Sequence, residues 1–165
     1  MVEVVVLSDT HIRPGGRRRL PDPVYEALDR ADLVLHAGDV VTGDLLDELA
    51  GFAPVLAVLG NNDHGLAGRL PVTRVENVGG LEVAMVHDSG ARQGRERRLR
   101  QRFPTADLVV FGHSHIPVDA PGLDGQRLFN PGSPTQRRRQ PHRSMGLLDL
   151  AGGRIVDHRI IRFDP

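Results

Sequence analysis

The sequence predicts an α/β fold in which two mixed β-sheets pack face to face with helices on the outside. Two observations carry that expectation. Short apolar runs alternate with helix-like segments through the first half of the chain, the pattern of a parallel sheet with crossover helices. The second half carries apolar runs divided by Gly-Gly pairs, the pattern of antiparallel hairpins.

Val2 to Leu7 reads as a first strand that ends at Ser8-Asp9. "LPDPVYEALDRA" places Asp22 at a helix N-cap and Pro23 at the first helical position, with Val24, Ala27 and Leu28 on one face. Leu33 to Leu35 forms a second strand before His36, and "TGDLLDELAG" a second helix between the cap Thr42 and the stop Gly51. Pro54 to Leu59 is a third strand, closed by Gly60. "VTRVENVGGLEVAMVHD" folds back at Gly79-Gly80, and an arginine-rich helix is expected within Ala91 to Phe103. Leu108 to Phe111 has no polar face, as in a strand covered on both sides. "RLFNPGS" and "SMGLLDLAGGRIVDHRIIRF" are expected to be antiparallel, and "QRRRQPHR" from Gln136 to Arg143 reads as an exposed loop.

Composition narrows the function classes. The 165 residues suit a single domain spanning 1–165. Arginine supplies all 21 positive charges against 21 carboxylates, a balance that argues against a general nucleic-acid or membrane-surface binder. There is no cysteine, so disulfides, thiolate nucleophiles and Cys-type zinc sites are excluded. Any metal must therefore sit on His, Asp, Glu or Asn. The opening run is too short to span a bilayer and lacks the flanks of a signal peptide, so a cytoplasmic protein is expected. A homo-oligomer is compatible with all of this.

The residues able to do chemistry stand at the strand ends. The first strand ends in "SDTH", with Asp9 and His11 two apart. The second leads to "HAGDV" with Asp39, the third to "GNND" with Asn61, and Leu81 to Val86 ends at His87. The buried strand at Leu108 runs into "GHSH", where His113 and His115 can turn both imidazoles to one point. In an α/β sheet ligands gather outside the carboxyl ends of strands, so these separate stretches would converge on one crevice. Two carboxylates, one amide and four imidazoles are too many donors for one ion. With one bridging carboxylate they divide over two ions of Mn²⁺, Fe²⁺ or Zn²⁺ character.

"DTH", "GDV", "GNND", the strand-end His87 and "GHSH", in that order, resemble the calcineurin-like metallophosphoesterases, and more narrowly the small bacterial and archaeal phosphodiesterases of the YfcE type. "NPGS" at Asn130 to Ser133 extends the likeness. The resemblance implies a four-layer αββα sandwich with two mixed sheets. It implies one metal on Asp9, His11, Asp39 and His115, and a second on Asp39, Asn61, His87 and His113. The ions implied are Mn²⁺ first, with Ni²⁺, Fe²⁺ or Zn²⁺ as alternatives. The implied activity is hydrolysis of a small phosphodiester by a hydroxide bridging the ions, with Asp39, Asn61 and Asn62 in the catalytic set. Many relatives carry a histidine after the asparagine of "GN"; here Asn62 stands there, able to contact substrate but not to act as a general acid.

Other residues have supporting parts. Asp63 is expected to orient a ligand or cap a loop, His36 to be a hydrogen-bonded core histidine, and Asn130 to lie beneath the site. Arg137, with Arg138 and Arg139, can meet a substrate phosphate, although a solvated loop is the default reading. His64, His142 and His158 read as surface residues. Two rival functions come with the resemblance: a scaffold of the same fold, as in a retromer coat subunit, and a nuclease. Filled ligand positions speak against the first, and a short, charge-balanced chain against the second.

Overall fold

The structure is a computed structural model describing residues 1–164. One sheet has the order β10-β9-β1-β2-β3 and the other β4-β5-β6-β8-β7. The first sheet is built from β1 (Val2–Leu7), β2 (Leu33–His36), β3 (Val55–Ala57), β9 (Arg143–Ala151) and β10 (Arg154–Phe163). The second holds β4 (Thr73–Val78), β5 (Leu81–Val86), β6 (Leu108–Val110), β7 (Val118–Pro121) and β8 (Arg127–Asn130). The helices are α1 (Asp22–Leu28), α2 (Gly43–Ala50) and α3 (Arg95–Arg102).

Three apolar layers show how these pieces stack. Because side chains alternate across a strand, Val5 and Leu7 of β1 face Val24, Leu28 and Leu49 of α1 and α2. Val4 and Val6 face the other way, onto Met85, Val110 and Phe129 of the second sheet. The far side of that sheet, with Val86, Val109 and Leu128, is covered by Leu99 and Phe103 of α3 and the turn after it. The order is helix, sheet, sheet, helix, the four-layer sandwich. Strands buried on both faces need unbroken apolar runs, which is why β1, β2 and β6 have no polar stripe.

Strand direction decides where the site falls. β1, β2 and β3 are mutually parallel, and so are β5, β6 and β8. Their carboxyl ends therefore share one rim, from which the loops after β1, β2, β3, β5 and β6 emerge. The parallel pairing of β6 with β8 corrects the antiparallel expectation for "RLFNPGS". The antiparallel partner of β8 is β7, an edge strand ending at Pro121, and side-chain periodicity cannot distinguish the two directions. Gly79-Gly80 and Gly152-Gly153 do turn their hairpins, with all four glycines at positive φ as a two-residue loop demands. Helix α1 starts one residue earlier than expected: Pro21 is its N-cap and Asp22 its first residue, since the fixed φ of proline serves either position. Thr42 and Gly51 bound α2 as expected, although the Thr42 hydroxyl makes no capping bond.

At Gly146 of β9 the two sheets lie in close contact. A methyl group there would press on the ring of Phe129, meeting its Cζ at 2.7 Å, and on Cβ of Val6 at 3.1 Å. All three residues are buried. Gly146→Ala is expected to destabilise the fold by about 1–3 kcal/mol through overpacking. A lowered urea midpoint at unchanged slope, partly restored by adding Phe129→Leu, is the measurement that checks it.

Candidate metal centre

The loops after β1, β2 and β6 leave their strands through left-handed backbone. Asp9, His11, Asp39, His113 and His115 have φ between 47° and 71°, and Val41 has φ 80°. Such conformations cost of order 1–3 kcal/mol for residues with a Cβ, so the surroundings must hold them in place. They do so with buried hydrogen bonds. The Asp63 carboxylate accepts from the backbone N–H of Asp39 (2.9 Å), Val41 (2.6 Å) and Gly60 (2.8 Å). Asp63 thus fixes the backbone of the Asp39 loop and touches no imidazole.

His36 is fully buried between the first two loops. Its Nδ1 accepts from the Gly38 N–H at 3.2 Å, which leaves Nε2–H to donate to Thr10 Oγ1 at 3.0 Å. Burial pushes its pKa down to about 4, so the ring stays neutral. Asn130 braces the GHSH turn: its amide donates to the Gly112 carbonyl at 3.2 Å and the Ser114 hydroxyl at 3.3 Å. Gly112 is required by close approach, since a Cβ there would run into the Ser8 hydroxyl and lie 2.8 Å from Asp9 Oδ2.

Inside this frame the seven ligand candidates meet. Asp9 Oδ1 lies 3.5 Å from His115 Nε2 and 3.8 Å from both His11 Nε2 and His87 Nε2. Asp39 Oδ2 lies 3.3 Å from His11 Nε2 and 3.5 Å from His87 Nε2, between the two groups. Asn61 Oδ1 is 3.0 Å from His87 Nε2 and 3.1 Å from His113 Nδ1. Two donors about 2.1 Å from a shared ion stand about 3.0–3.4 Å apart, so these spacings suit coordination with little adjustment.

The imidazoles are aimed. The Gln136 carbonyl accepts from His115 Nδ1–H at 2.6 Å and the Ala37 carbonyl from His87 Nδ1–H at 2.7 Å, turning both Nε2 lone pairs inward. Asp9 Oδ2 is engaged by the Ser8 hydroxyl at 2.8 Å and the His113 backbone N–H at 2.9 Å. That leaves Asp9 Oδ1 buried with no hydrogen-bond partner, together with His11 Nε2 and His115 Nε2. Three orphaned polar atoms around one point are costly unless a cation joins them. The donor set fits the group: Asp9, His11 and His115 form one cluster, and Asp9, Asp39 and His87 another.

Titration reports the same field. Burial pushes the Asp9 carboxyl up, but the imidazoles of His11, His87 and His115 outweigh it and hold it below the usual range. Asp39 is likewise opposed by burial, yet bonds from His87 and Asn62 hold it far below. Burial lowers His115 more than Asp9 raises it, whereas at His87 the pull of Asp39 and Asp9 outweighs burial and the pKa rises. Two buried carboxylates that stay ionised make a strongly negative pocket.

Two of the expected substrate contacts have partners within the chain. Asn62 donates its backbone N–H to Asp39 Oδ1 and its amide N–H to Asp39 Oδ2, both at 2.9 Å, so the amide holds Asp39 instead of facing a substrate. Arg137 donates to the Gln140 carbonyl at 2.7 Å within its own exposed loop. His64 and His142 are exposed, while His158 is half-buried and pairs with Asp119 at 2.6 Å across the sheets. Residues that sequence reasoning missed are the hydroxyls under Asp9: Ser133 donates to the Asp9 carbonyl at 2.8 Å and Thr135 to the Thr10 carbonyl at 2.7 Å. Their only signal was the position of Ser133 in "NPGS". No helix among the described residues is long and apolar enough to cross a membrane.

Residues 2–153 match the calcineurin-like phosphoesterase superfamily domain, and the chain belongs to that family. It is 35% identical over 159 residues to a probable metallophosphoesterase of Methanothermobacter thermautotrophicus, covering 95% of this chain and 90% of that one. Among solved structures it is similar to Vps29 of Chaetomium thermophilum, with TM-score 0.79 at 18% identity over 99% of this chain and 97% of that one. It is also similar to an archaeal phosphodiesterase, with TM-score 0.69 at 20% identity over 98% of this chain and 99% of that one. At those identities the two structures speak to the fold alone.

His36 makes a pH test of the frame. Its folded pKa of about 4 lies below the ordinary value of 6.5. The unfolded chain therefore binds the extra proton between those values, and stability is present above about pH 6.5 and lost as pH falls toward 4. The loss attributable to this one group approaches about 1.4 kcal/mol per pH unit. The stability gap between wild type and His36→Asn, from urea unfolding in chelator at pH 7 and pH 5, is expected to narrow at the lower pH.

Proposed function

We propose that this protein hydrolyses phosphodiesters at a centre of two divalent cations, with manganese the preferred ion. The observation that carries the reading is the convergence of Asp9 Oδ1, His11 Nε2 and His115 Nε2, buried and without partners, beside Asp39. Asp9, His11, Asp39 and His115 hold one ion in this reading, and Asp39, Asn61, His87 and His113 the other. Such ions supply positive charge to the phosphoryl oxygens and lower the pKa of water. The all-N/O donor set suits Mn²⁺, with Ni²⁺, Fe²⁺ and Zn²⁺ as alternatives.

The chain's own residues do the positioning. Asp39 stays ionised and shared, and Asn62 keeps both its oxygens in place. Gln136 and Ala37 fix the tautomers of His115 and His87 through their carbonyls. The reaction needs no protein nucleophile. With its amide turned to Asp39, Asn62 offers no proton to the departing oxygen, so the leaving group must carry its own charge. The substrate on this reading is a small phosphodiester. The family membership supports the phosphoesterase part of the reading.

Asp39→Asn is expected to lower turnover of bis(p-nitrophenyl) phosphate about 1,000-fold or more and to release bound manganese, read by elemental analysis. Full activity in that variant would refute the ligand assignment, and a metal-loaded but inert wild type would favour a scaffold. Aryl diesters are expected to react at least about 100-fold faster than alkyl diesters, the range general-acid help would otherwise supply. Equal rates would place a proton donor in the site.

A further inference from the structure

We propose that the centre is built for a phosphodiester carrying at least one further phosphate, held by an arginine rim; the inference rests on the hydrolase reading of the same site. Neutral overall charge hides a segregated distribution. Fourteen of the 21 arginines fall in three short segments, 13–19, 92–102 and 137–143, which contain a single carboxylate, Glu96. Within those segments only Arg19, Arg100 and Arg143 lie within 4 Å of a carboxylate among the described residues. Of the seven arginines elsewhere, Arg69, Arg74, Arg127 and Arg159 are paired. Free positive charge is thus concentrated in the three segments.

All three segments border the metal centre. The first begins two residues after His11, and Arg18 donates to the His11 carbonyl at 3.1 Å. The third follows Gln136, whose carbonyl holds His115, and the strand-end loops are joined through Thr135 and Thr10. The middle segment gives Arg92 and Arg95 to a cleft of about 380 Å³ that reaches Ser114 and Ile116, the neighbours of His115. A second cleft of about 440 Å³ shares Ser114 and Ile116 and is lined by Arg137, Arg138 and Arg139.

Arg95 adds an independent sign. Its guanidinium lies over the Phe111 ring at 5.0 Å from the centroid, and its Nε is buried without a hydrogen-bond partner. A guanidinium stacked on an aromatic face beside an open cleft is suited to an incoming anion. The cleft floor of Ile116, Pro117, Val118 and Leu128 is apolar, which suits a flat organic group between two phosphates. The opposing charges on the rim are Glu96 and Asp88, whose Oδ2 stands 4.0 Å from His113 Nε2. The chain holds one Tyr, five Phe and no Trp, too few aromatic platforms for a long stacked single strand. The chemistry therefore points to a small nucleotide-like polyanion.

Two esters test the inference with the manganese-loaded full chain: thymidine 3′-(p-nitrophenyl phosphate) with and without a 5′-phosphate. In both, water adds to phosphorus and the bond to p-nitrophenolate breaks, so only the remote charge differs. The 5′-phosphate is expected to raise kcat/KM about tenfold or more at low salt, falling toward parity in 0.5 M NaCl. The same ratio is expected to fall toward one in Arg138→Gln/Arg139→Gln, and in Arg92→Gln/Arg95→Gln if that pair folds. Equal kcat/KM for the two esters at low salt overturns the inference and leaves the hydrolase reading standing. If neither ester is hydrolysed, calorimetric binding decides. Tighter binding of thymidine 3′,5′-bisphosphate than of thymidine 5′-monophosphate keeps the rim and sinks the hydrolase, and equal binding sinks both.

Discussion

Two carboxylates buried at adjacent strand ends, Asp9 and Asp39, are the constraint around which this molecule is arranged. Burial of an ionised carboxylate is expensive unless charge of opposite sign meets it. Here four imidazoles and an amide surround the pair, and each imidazole whose second nitrogen bonds a carbonyl is turned so that its lone pair faces the carboxylates. The arrangement is a negative cavity with neutral donors around it, the electrostatic requirement for holding cations.

Holding that cavity open has a structural cost that the rest of the fold offsets. Left-handed backbone at five candidate ligands is intrinsically unfavourable, and it persists because the loops are tied to one another and not only to their own strands. Asp63 takes three N–H donors from two loops, His36 joins the loops after β1 and β2, and Ser133 reaches back across the chain to Asp9. The interdigitated layers beneath, with no polar atoms to rearrange, give these ties a rigid base.

Charge is organised on a larger scale. A net charge of zero ordinarily argues for a surface of interspersed signs, yet among the described residues four of the seven arginines outside the three segments pair with a carboxylate, against three of the fourteen within them. A negative core within a positive rim draws cations inward and organic phosphates to the edge. The two fields act at different distances, so neither cancels the other.

Much of this was legible in the chain. Apolar runs without a polar stripe, paired glycines and the proline-led start of α1 determined most elements of the sandwich, because side-chain period and turn chemistry are local properties. The ligand candidates were legible too, because Asp, Asn and His beside glycine at strand ends are rare enough to stand out. Tertiary structure decided what depends on partners far away in sequence. β8 lies parallel to β6, Asn62 is held by Asp39, Asp63 binds backbone and not imidazole, and two arginine-rich segments line adjoining clefts that share Ser114 and Ile116. A residue type states which bonds a side chain can make; only the packed chain determines which of them it does make.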